Sequence, residues 1–284
     1  MTDILDIHTH KQEIDSQGKS IINYPLLTDS PLYMPLAKNA EVAVSRGLLL
    51  EEYLGFLNEG EGLVDALSNN VFSARKGYYY SAGIHPWELA ERNADQQLAF
   101  LQKQLKHKQF VAVGEAGLDK LAAAPMELQL TMFKKQVQLS EKHGLPLIIH
   151  CVRATDELLA VKKEFRPQQA WVWHGFRGKP EQAMQLLKKG FYLSFGEYYP
   201  DETMQTVPDE RLFLETDNSS LDIEDILCRA AKVRGVEVEA LRETIRRKYP
   251  KMSFLGRKSC IFRERVVLLS HMELKYNKNQ IIKE

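Results

Sequence analysis

Short apolar runs recur along the chain, and several of them end in a histidine or a carboxylate. Each run is apolar nearly throughout and too short for a helix, which is typical of a buried parallel strand. The pattern predicts eight strands, roughly at Asp3–His8, Lys19–Asn23, Tyr78–His85, Phe110–Glu115, Leu145–His150, Ala170–His174, Phe191–Phe195 and Leu212–Thr216.

Amphipathic segments with helical spacing lie between the later strands. They predict helices at Glu88–Lys106, Met126–His143, Thr155–Glu164 and Pro180–Lys189, and two more after the last strand, from Ser220 to about Val233 and at Val238–Lys248. Strands and helices alternate, and the crossovers are long enough to hold a helix. We therefore expect an α/β protein with a TIM-type (β/α)8 barrel.

The two ends of this pattern are less regular. Only about ten residues separate the first two strands, too few for a crossover helix, so we expect an irregular first crossover. Residues Ala37–Ser73 carry two apolar helical stretches and predict a helical insertion before the third strand. We expect residues 1–248 to form the barrel domain. Residues 249–284 are a basic C-terminal tail of uncertain structure; from Arg242 to Glu284, twelve Lys or Arg stand against four Glu.

Six side chains at predicted strand ends are candidate metal ligands: His8, His10, Glu115, His150, His174 and Asp217. His8 and His10 lie two residues apart, so on a strand both face the same side. The carboxyl ends of parallel barrel strands meet at one face of the barrel, where active sites are built. Six ligands suit two adjacent ions, and histidines with carboxylates but no thiolate fit Zn²⁺, Mn²⁺ or Mg²⁺. Any one of these residues alone could instead be an ordinary polar residue at a strand end.

Composition and charge narrow the class of protein. The 284 residues include 38 basic and 38 acidic ones, and the net charge of +0 argues against a protein that mainly coats nucleic acid. Cys151, Cys228 and Cys260 are odd in number and scattered, which favours a reducing compartment over a disulfide framework. No leader or membrane-spanning stretch is recognisable. We expect a cytoplasmic protein without membrane association, and nothing indicates an obligate protein partner.

The strand-end motifs occur in the order found in a known family. They are Asp6-Ile-His-Thr-His10, Gly83-Ile-His-Pro86, Val113-Gly-Glu-Ala-Gly-Leu-Asp119, Ile149-His150, His174-Gly-Phe-Arg-Gly178 and Glu215-Thr-Asp217. From about Asp3 to Lys248 the chain resembles the TatD-like metal-dependent hydrolases and DNases of the amidohydrolase superfamily. The resemblance implies a TIM-type barrel, two divalent metal ions, and cleavage of phosphodiester bonds in DNA or oligonucleotides.

The resemblance also implies roles for individual residues. The six strand-end residues would bind the metal ions, with Glu115 as the bridge between them. His85 looks like the non-ligand histidine of the site, which contacts the scissile phosphate or protonates the leaving oxygen. Asp217, beside one metal, would accept a proton from the attacking water. Arg153 and Arg177, just past strand ends, are candidate phosphate contacts because a guanidinium matches phosphate oxygens.

Three positions depart from the family pattern. Trp87 stands where many members have a second histidine, Gly175 where many have a cysteine, and Asn218 where a small apolar residue followed by proline is common. The six ligand positions are intact, so these departures concern substrate preference more than the chemistry. Two rival functions stay open. The site could hydrolyse an amide or ester, for example in deacylation of a misacylated tRNA, or the barrel could be a non-catalytic binding protein.

Overall fold

Eight parallel strands close into a barrel in the part of the chain that the structure describes. The structure is a computed structural model and describes residues 5–11, 20–24, 26 and 77–248. The strands are β1 (Asp6–Thr9), β2 (Ser20–Asn23), β3 (Tyr79–Ala82), β4 (Phe110–Asp119), β5 (Leu147–Val152), β6 (Trp171–Trp173), β7 (Phe191–Phe195) and β8 (Leu212–Leu214). Each strand pairs with the next, and β8 pairs with β1. The predicted (β/α)8 barrel is confirmed. Most of the first crossover, the predicted insertion at Ala37–Ser73 and the tail at 249–284 lie outside the described residues.

Helices connect the later strands and follow the last one. They are α1 (Glu91–Gln104), α2 (Met126–His143), α3 (Thr155–Phe165), α4 (Pro180–Lys188), α5 (Asp201–Thr206), α6 (Ile223–Arg234) and α7 (Val238–Arg246). Helix α5 was not predicted, because six residues are too few to show helical periodicity. The predicted start of α6 near Ser220 is wrong: Asp222 precedes the first turn, and its N–H lies 3.4 Å from Oδ2 of Asp225. None of the described helices is long and apolar enough to cross a membrane.

Large aromatic side chains stiffen the barrel wall on the side of β6 and β7. Trp171 and Phe191 lie on these neighbouring strands, are fully buried, and have ring centroids 5.8 Å apart. Phe133 of α2 packs edge-to-face on Trp171 at 5.6 Å. Contacts of this kind contribute about 0.5–1.5 kcal/mol beyond the burial of apolar area. The packed wall holds the strand ends that carry the candidate site.

Strand β4 is longer than predicted and irregular in its middle. It continues to Asp119, so the prediction that it ends at Glu115 is wrong. Its register with β5 shifts between Val113 and Ala116, as in a β-bulge, and a bulge re-aims the side chains around it. The backbone N–H of Glu115 donates to Oδ1 of Asn23 over 3.2 Å. The glutamate is thereby fixed within the barrel and not at the end of a strand.

Gly117 allows β4 to approach β5 closely. A Cβ atom at this position would lie 1.7 Å from the carbonyl oxygen of His150, which is far inside any real contact. Because only glycine lacks a Cβ, the residue just past the bulge sets the distance between the strands that carry Glu115 and His150.

Candidate metal centre

The carboxylate of Glu115 lies at the middle of the candidate site, and its two oxygens face different histidines. Oε2 lies 3.2 Å from Nε2 of His8 and 3.3 Å from Nε2 of His10. Oε1 lies 2.8 Å from Nδ1 of His150 and 2.7 Å from Nε2 of His174. All five side chains are buried. A carboxylate divided in this way can bridge two cations, one beside each histidine pair.

Asp217 completes the side of the site that contains His8 and His10. Its Oδ1 lies 3.8 Å from Nε2 of His8 and 3.5 Å from Nε2 of His10. The backbone fixes this arrangement, because the N–H of Asp217 donates to the carbonyl of His8 and the N–H of His10 donates to the carbonyl of Asp217. Asp217 has a φ of 50°, in the left-handed region that aspartate tolerates better than most residues. His8 and His10, at the end of β1, and Asp217, just past β8, therefore place three ligand atoms close together.

The donor set fits divalent cations. Nε2 of His8 and Nε2 of His10 are buried and have no hydrogen-bond partner among the described residues. A buried polar atom without a partner costs free energy, and a bound cation would remove that cost. The ligand atoms of His8, His10 and Asp217 lie within 4.8 Å of one another, as do those of His8, Glu115 and His174. Imidazole nitrogens with carboxylate oxygens suit Zn²⁺ and Mn²⁺ in particular.

Two carboxylates without a predicted role, Asp119 and Glu215, lie behind the second histidine pair. Nε2 of His150 is 3.1 Å from Oδ2 of Asp119, while its Nδ1 faces Glu115. Nδ1 of His174 is 3.4 Å from Oε1 of Glu215, while its Nε2 faces Glu115. A carboxylate in this position fixes the ring and its tautomer and makes the other nitrogen a better metal ligand. Asp119 and Glu215 therefore orient His150 and His174.

The sequence contains a signal for both of these carboxylates. Asp119 closes the motif that begins at Val113. Glu215 lies two residues before Asp217, the same spacing that drew attention to the two histidines of β1, and residues so spaced on an extended chain share a face. The spacing that identifies His8 and His10 thus also identifies Glu215 as a candidate.

The hydrogen bonds of His85 favour a role as a hydrogen-bond donor over a role as a metal ligand. Its Nε2 lies 3.1 Å from Oε1 of Glu115 and is close enough to share a cation with Glu115 and His150. However, its Nδ1 accepts the backbone N–H of Trp87 over 3.1 Å, so the proton of the neutral ring must be on Nε2. Burial lowers the pKa of His85, although Glu115 opposes this effect, and the neutral ring is favoured. A protonated Nε2 has no lone pair for a metal and presents an N–H to the site.

The charge of Glu115 depends on the histidines around it. Burial raises the pKa of Glu115, but the surrounding rings of His174, His85, His10 and His150 outweigh burial and hold the pKa well below its usual value. Burial lowers the pKa of His174, but Glu115 outweighs burial and holds that pKa well above its usual value. Glu115 is therefore ionised, and a proton competes with any cation for the ring nitrogen of His174.

The centre opens into a cavity of about 570 Å³ at the mouth of the barrel. Both candidate phosphate contacts, Arg153 and Arg177, line this cavity with exposed side chains, and Trp87 lines it with them. The structure thus brings the predicted arginines to the cavity that five of the six predicted ligands line. A larger cavity of about 980 Å³ lies mainly at the other end of β6, β7 and β8, and its described lining includes no histidine. The chemistry of the lining residues, and not cavity size, identifies the candidate site.

Comparison with known proteins gives the same family as the motifs. The chain matches the sequence model described as TatD related DNase over residues 61–247. It is 32% identical over 148 residues to the Bacillus subtilis protein named uncharacterized metal-dependent hydrolase YabD, covering 49% of this chain and 58% of that protein. It is 31% identical over 181 residues to the Escherichia coli protein named uncharacterized metal-dependent hydrolase YjjV, covering 58% and 70%. The chain thus aligns with little more than half of the Bacillus subtilis relative.

A third relative has a named activity. The protein named 3'-5' ssDNA/RNA exonuclease TatD of Cronobacter sakazakii is 30% identical over 188 residues, covering 62% of this chain and 71% of that protein.

Two crystal structures share the fold. The structure of YjjV, a TatD homologue from Escherichia coli K12, has a TM-score of 0.60 at 20% identity and covers 89% of this chain and 98% of that one. The structure of a TatD family hydrolase from Entamoeba histolytica has a TM-score of 0.61 at 17% identity and covers 90% and 99%. At these identities the likeness extends to the fold alone. Because the family match itself spans well over half of the sequence, the chain belongs to the TatD related DNase family of metal-dependent hydrolases.

Proposed function

We propose that this protein is a nuclease that uses two divalent metal ions to hydrolyse phosphodiester bonds in single-stranded DNA or short oligonucleotides. The observation that carries the proposal is the divided carboxylate of Glu115, one oxygen of which faces each histidine pair. One zinc ion takes three or four protein ligands, so six ligand residues suit two ions that share Glu115. Zn²⁺, Mn²⁺ and Mg²⁺ are the candidate ions.

The residues that would hold each ion follow from this division. His8, His10 and Asp217 would hold the first ion and His150 with His174 the second, with one oxygen of Glu115 on each side. When bound, divalent ions supply positive charge for the phosphate oxygens and a hydrolytic water of lowered pKa. Local charge of this kind takes the place of an extended basic surface, which makes a net charge of +0 compatible with a polyanionic substrate.

His85 and Asp217 are suited to opposite proton transfers. His85 lines the cavity, with its Nε2–H next to Oε1 of Glu115. It can therefore donate to a phosphate oxygen bound there and protonate the leaving oxygen. The side chain of Asp217 is 27% exposed, more than that of any other candidate ligand. Its carboxylate can therefore accept the proton of the attacking water and pass it to solvent.

Arg153 and Arg177 are suited to hold the phosphates on either side of the scissile bond. Arg177 lies over the ring of Tyr198, with its guanidinium carbon 5.4 Å from the ring centroid, which restricts its side chain. Arg153 has a φ of 54°, a left-handed conformation that residues other than glycine tend to keep at functional turns. A planar guanidinium in either place can bind two phosphate oxygens at once.

A carbonyl substrate is the rival, because a metal-activated water can attack carbonyl and phosphoryl centres alike. Two observations support the phosphodiester. The cavity has two exposed guanidinium groups, which match successive phosphates of a strand. The Cronobacter sakazakii relative is named an exonuclease of single-stranded DNA and RNA.

The test uses the full chain, stripped of metal and reconstituted with Zn²⁺, Mn²⁺ or Mg²⁺. Its substrates are single-stranded DNA, duplex DNA, RNA, an aminoacyl ester and an N-acyl amino acid. We expect cleavage of single strands that chelation abolishes. We expect the same loss in Glu115→Gln but not in Asp95→Asn, a carboxylate-to-amide control on α1 whose side chain is 96% exposed.

Two results would overturn the proposal. Turnover of an acyl substrate with no cleavage of any nucleic acid would make the protein a deacylase. No turnover of any substrate, with well under one ion per chain after reconstitution, would leave a non-catalytic barrel.

A further inference from the structure

Trp87 exposes its ring at the mouth of the site. Its side chain is 53% exposed, whereas Trp171 and Trp173 are 0% and 6% exposed. It lines the cavity into which the candidate metal centre opens. An indole left in water keeps a large apolar surface hydrated, and a flat ligand that covers this surface gains free energy.

Contacts at its edge and backbone fix the orientation of Trp87. Its Nε1–H donates to Oδ2 of Asp119 over 2.7 Å, and its backbone N–H donates to Nδ1 of His85 over 3.1 Å. The rings of His85 and His150 have centroids 4.9 Å and 5.7 Å away and lie at 77° and 75° to the indole. Neither ring stacks parallel on it. The indole is thus held in place before any ligand arrives, and preorganisation of this kind reduces the entropy lost on binding.

We infer that Trp87 forms a nucleobase-stacking subsite, in which an unpaired base of the substrate lies on the indole while the adjoining phosphate lies at the metal ligands. The inference rests on the proposed nuclease function. Every base has a flat π-face, and stacking on a protein aromatic strengthens binding about tenfold per base with little dependence on base identity. In a duplex, both faces of an internal base are covered by its neighbours, so the subsite selects unpaired bases.

The position of the ring relative to the centre suits the nucleotide next to the scissile bond. His85 contacts the indole on one side and Oε1 of Glu115 on another, so Trp87 is one side chain removed from the bridging carboxylate. A nucleotide whose phosphate lies at the metal ligands would have its own base within reach of a side chain placed in this way. Nonspecific apolar contact explains the site less well, because the cavity is also lined by the charged side chains of Arg153 and Arg177.

The test combines a change in the protein with a change in the substrate, as in a double-mutant cycle, and compares the activity of each combination. Single-stranded oligonucleotides are made intact or with one abasic nucleotide, placed in turn on each side of the scissile bond. We expect Trp87→Leu to lower kcat/KM on intact DNA about tenfold, mainly through a higher KM. On the strand whose abasic nucleotide lies at the stacking position, the difference in kcat/KM between Trp87→Leu and the unchanged protein should be much smaller, because the base that stacks is gone.

Two further variants separate stacking from a structural role of the indole. Trp87→Phe keeps an aromatic face and loses the N–H that binds Asp119, so it should retain most of the activity that Trp87→Leu loses. Tyr198→Leu is the matched control, since Tyr198 is 60% exposed at the same barrel mouth and has Arg177 over its ring. Its effect should be the same on intact DNA and on DNA with that abasic position.

Binding without turnover gives an independent readout. Trp171 and Trp173 are buried, and Trp173 also lines the cavity. On titration with a phosphorothioate oligonucleotide, the change in tryptophan emission that is lost in Trp87→Phe is therefore the part that reports on Trp87. We expect quenching by the intact strand, weaker quenching by the abasic strand, and almost none with Trp87→Phe. The titration is run with and without divalent metal, so it does not depend on catalysis.

The outcomes distinguish the two proposals. If DNA is cleaved but Trp87→Leu is equally impaired on intact and abasic strands, the stacking subsite is wrong and the nuclease function stands. If Trp87→Phe is as impaired as Trp87→Leu, the indole acts only through Asp119, and the subsite is again wrong. If no nucleic acid is cleaved, the nuclease proposal fails. Emission quenched only by strands that carry the base would then still support the subsite, and unquenched emission would overturn it.

Discussion

Nε2 of His150 lies 3.1 Å from Oδ2 of Asp119, on the edge of the imidazole away from Glu115. Asp119 is itself held, since its Oδ1 accepts the backbone N–H of Leu121 and its Oδ2 accepts Nε1–H of Trp87, both over 2.7 Å. Burial raises the pKa of Asp119, but these hydrogen bonds outweigh burial and lower it. An ionised carboxylate so placed keeps the proton of His150 on Nε2 and leaves Nδ1 free to bind a cation.

Asp119→Asn should therefore weaken metal binding and activity by about 10–100-fold without removing any candidate ligand. The amide keeps one acceptor oxygen for three N–H groups, and it carries no charge to fix the tautomer of His150. Calorimetric titration with Zn²⁺ or Mn²⁺ and steady-state kinetics measure the two effects. Asp95→Asn should change neither quantity. An unchanged metal affinity in Asp119→Asn would show that His150 is not oriented by this carboxylate.

Glu115→Gln tests the bridge directly. A carboxylate shares a full negative charge over two oxygens, whereas an amide of nearly the same shape has one neutral oxygen and a nitrogen that cannot ligate. Metal content measured by elemental analysis should fall by roughly half, and turnover by about a hundredfold or more. A variant that keeps two ions per chain and near-normal activity would rule out Glu115 as a bridge and the two-metal proposal with it.

The strands and the positions of the candidate ligands were predictable, because their signals are local. A buried parallel strand leaves an apolar run, and a polar residue that ends such a run is visible without knowledge of any partner. The His-Thr-His sequence places His8 and His10 on one face from spacing alone. The structure brings both to Oε2 of Glu115.

The features that escaped prediction depend on contacts between distant segments. The place of Glu115 within β4 follows from a shifted register against β5, and register is a property of two strands. The roles of Asp119 and Glu215 depend on rings from β5 and the end of β6. The tautomer of His85 depends on the turn that brings the N–H of Trp87 to its Nδ1. Motif spacing can identify Glu215 as a candidate, but it does not show which ring either carboxylate contacts.

Gly117→Ala should be severely destabilising. The added Cβ would lie 1.7 Å from the carbonyl oxygen and 2.7 Å from the carbonyl carbon of His150, so the backbone of β4 or β5 must move. We expect a loss of about 3 kcal/mol or more in the free energy of unfolding, at the upper end of what overpacking costs. Urea denaturation measures it. Gly196→Ala is the control, because its Cβ would lie 3.6–3.9 Å from Glu215, in ordinary contact. Equal losses in both variants would contradict the close approach at Gly117.

Lys248 is a buried amine at the end of the described chain. It is 7% exposed, and its Nζ donates to the carbonyl oxygens of Asp209 and Leu212. The same atom lies 4.9 Å from the centroid of the Phe213 ring. Burial lowers the pKa of Lys248 from 10.5 to about 7; Arg234 adds to this effect, while Asp209 and Glu210 oppose it.

This shift predicts a pH dependence of stability with a definite sign. Between about pH 7 and 10.5 the amine of Lys248 is largely deprotonated in the folded chain and protonated in the unfolded chain. The unfolded state then binds more protons, so the contribution of Lys248 to the free energy of unfolding rises with pH in this window. Below about pH 7 both states are protonated, and the full cost of burying the ammonium is present.

Lys248→Met removes this titration and leaves an apolar chain of similar length. The free energy of unfolding of the unchanged protein, minus that of the variant, should rise with pH by up to about 1.4 kcal/mol per unit between roughly pH 7 and 10. The carbonyls of Asp209 and Leu212 lose a donor in the variant. That cost does not depend on pH, so it shifts the difference in the free energy of unfolding by a constant amount. Urea denaturation of both proteins across this range measures the difference, with Lys232→Met, at an exposed position on α6, as the control. A difference that stays flat from pH 7 to 10 would mean that the ammonium of Lys248 keeps its full solvation in the folded state.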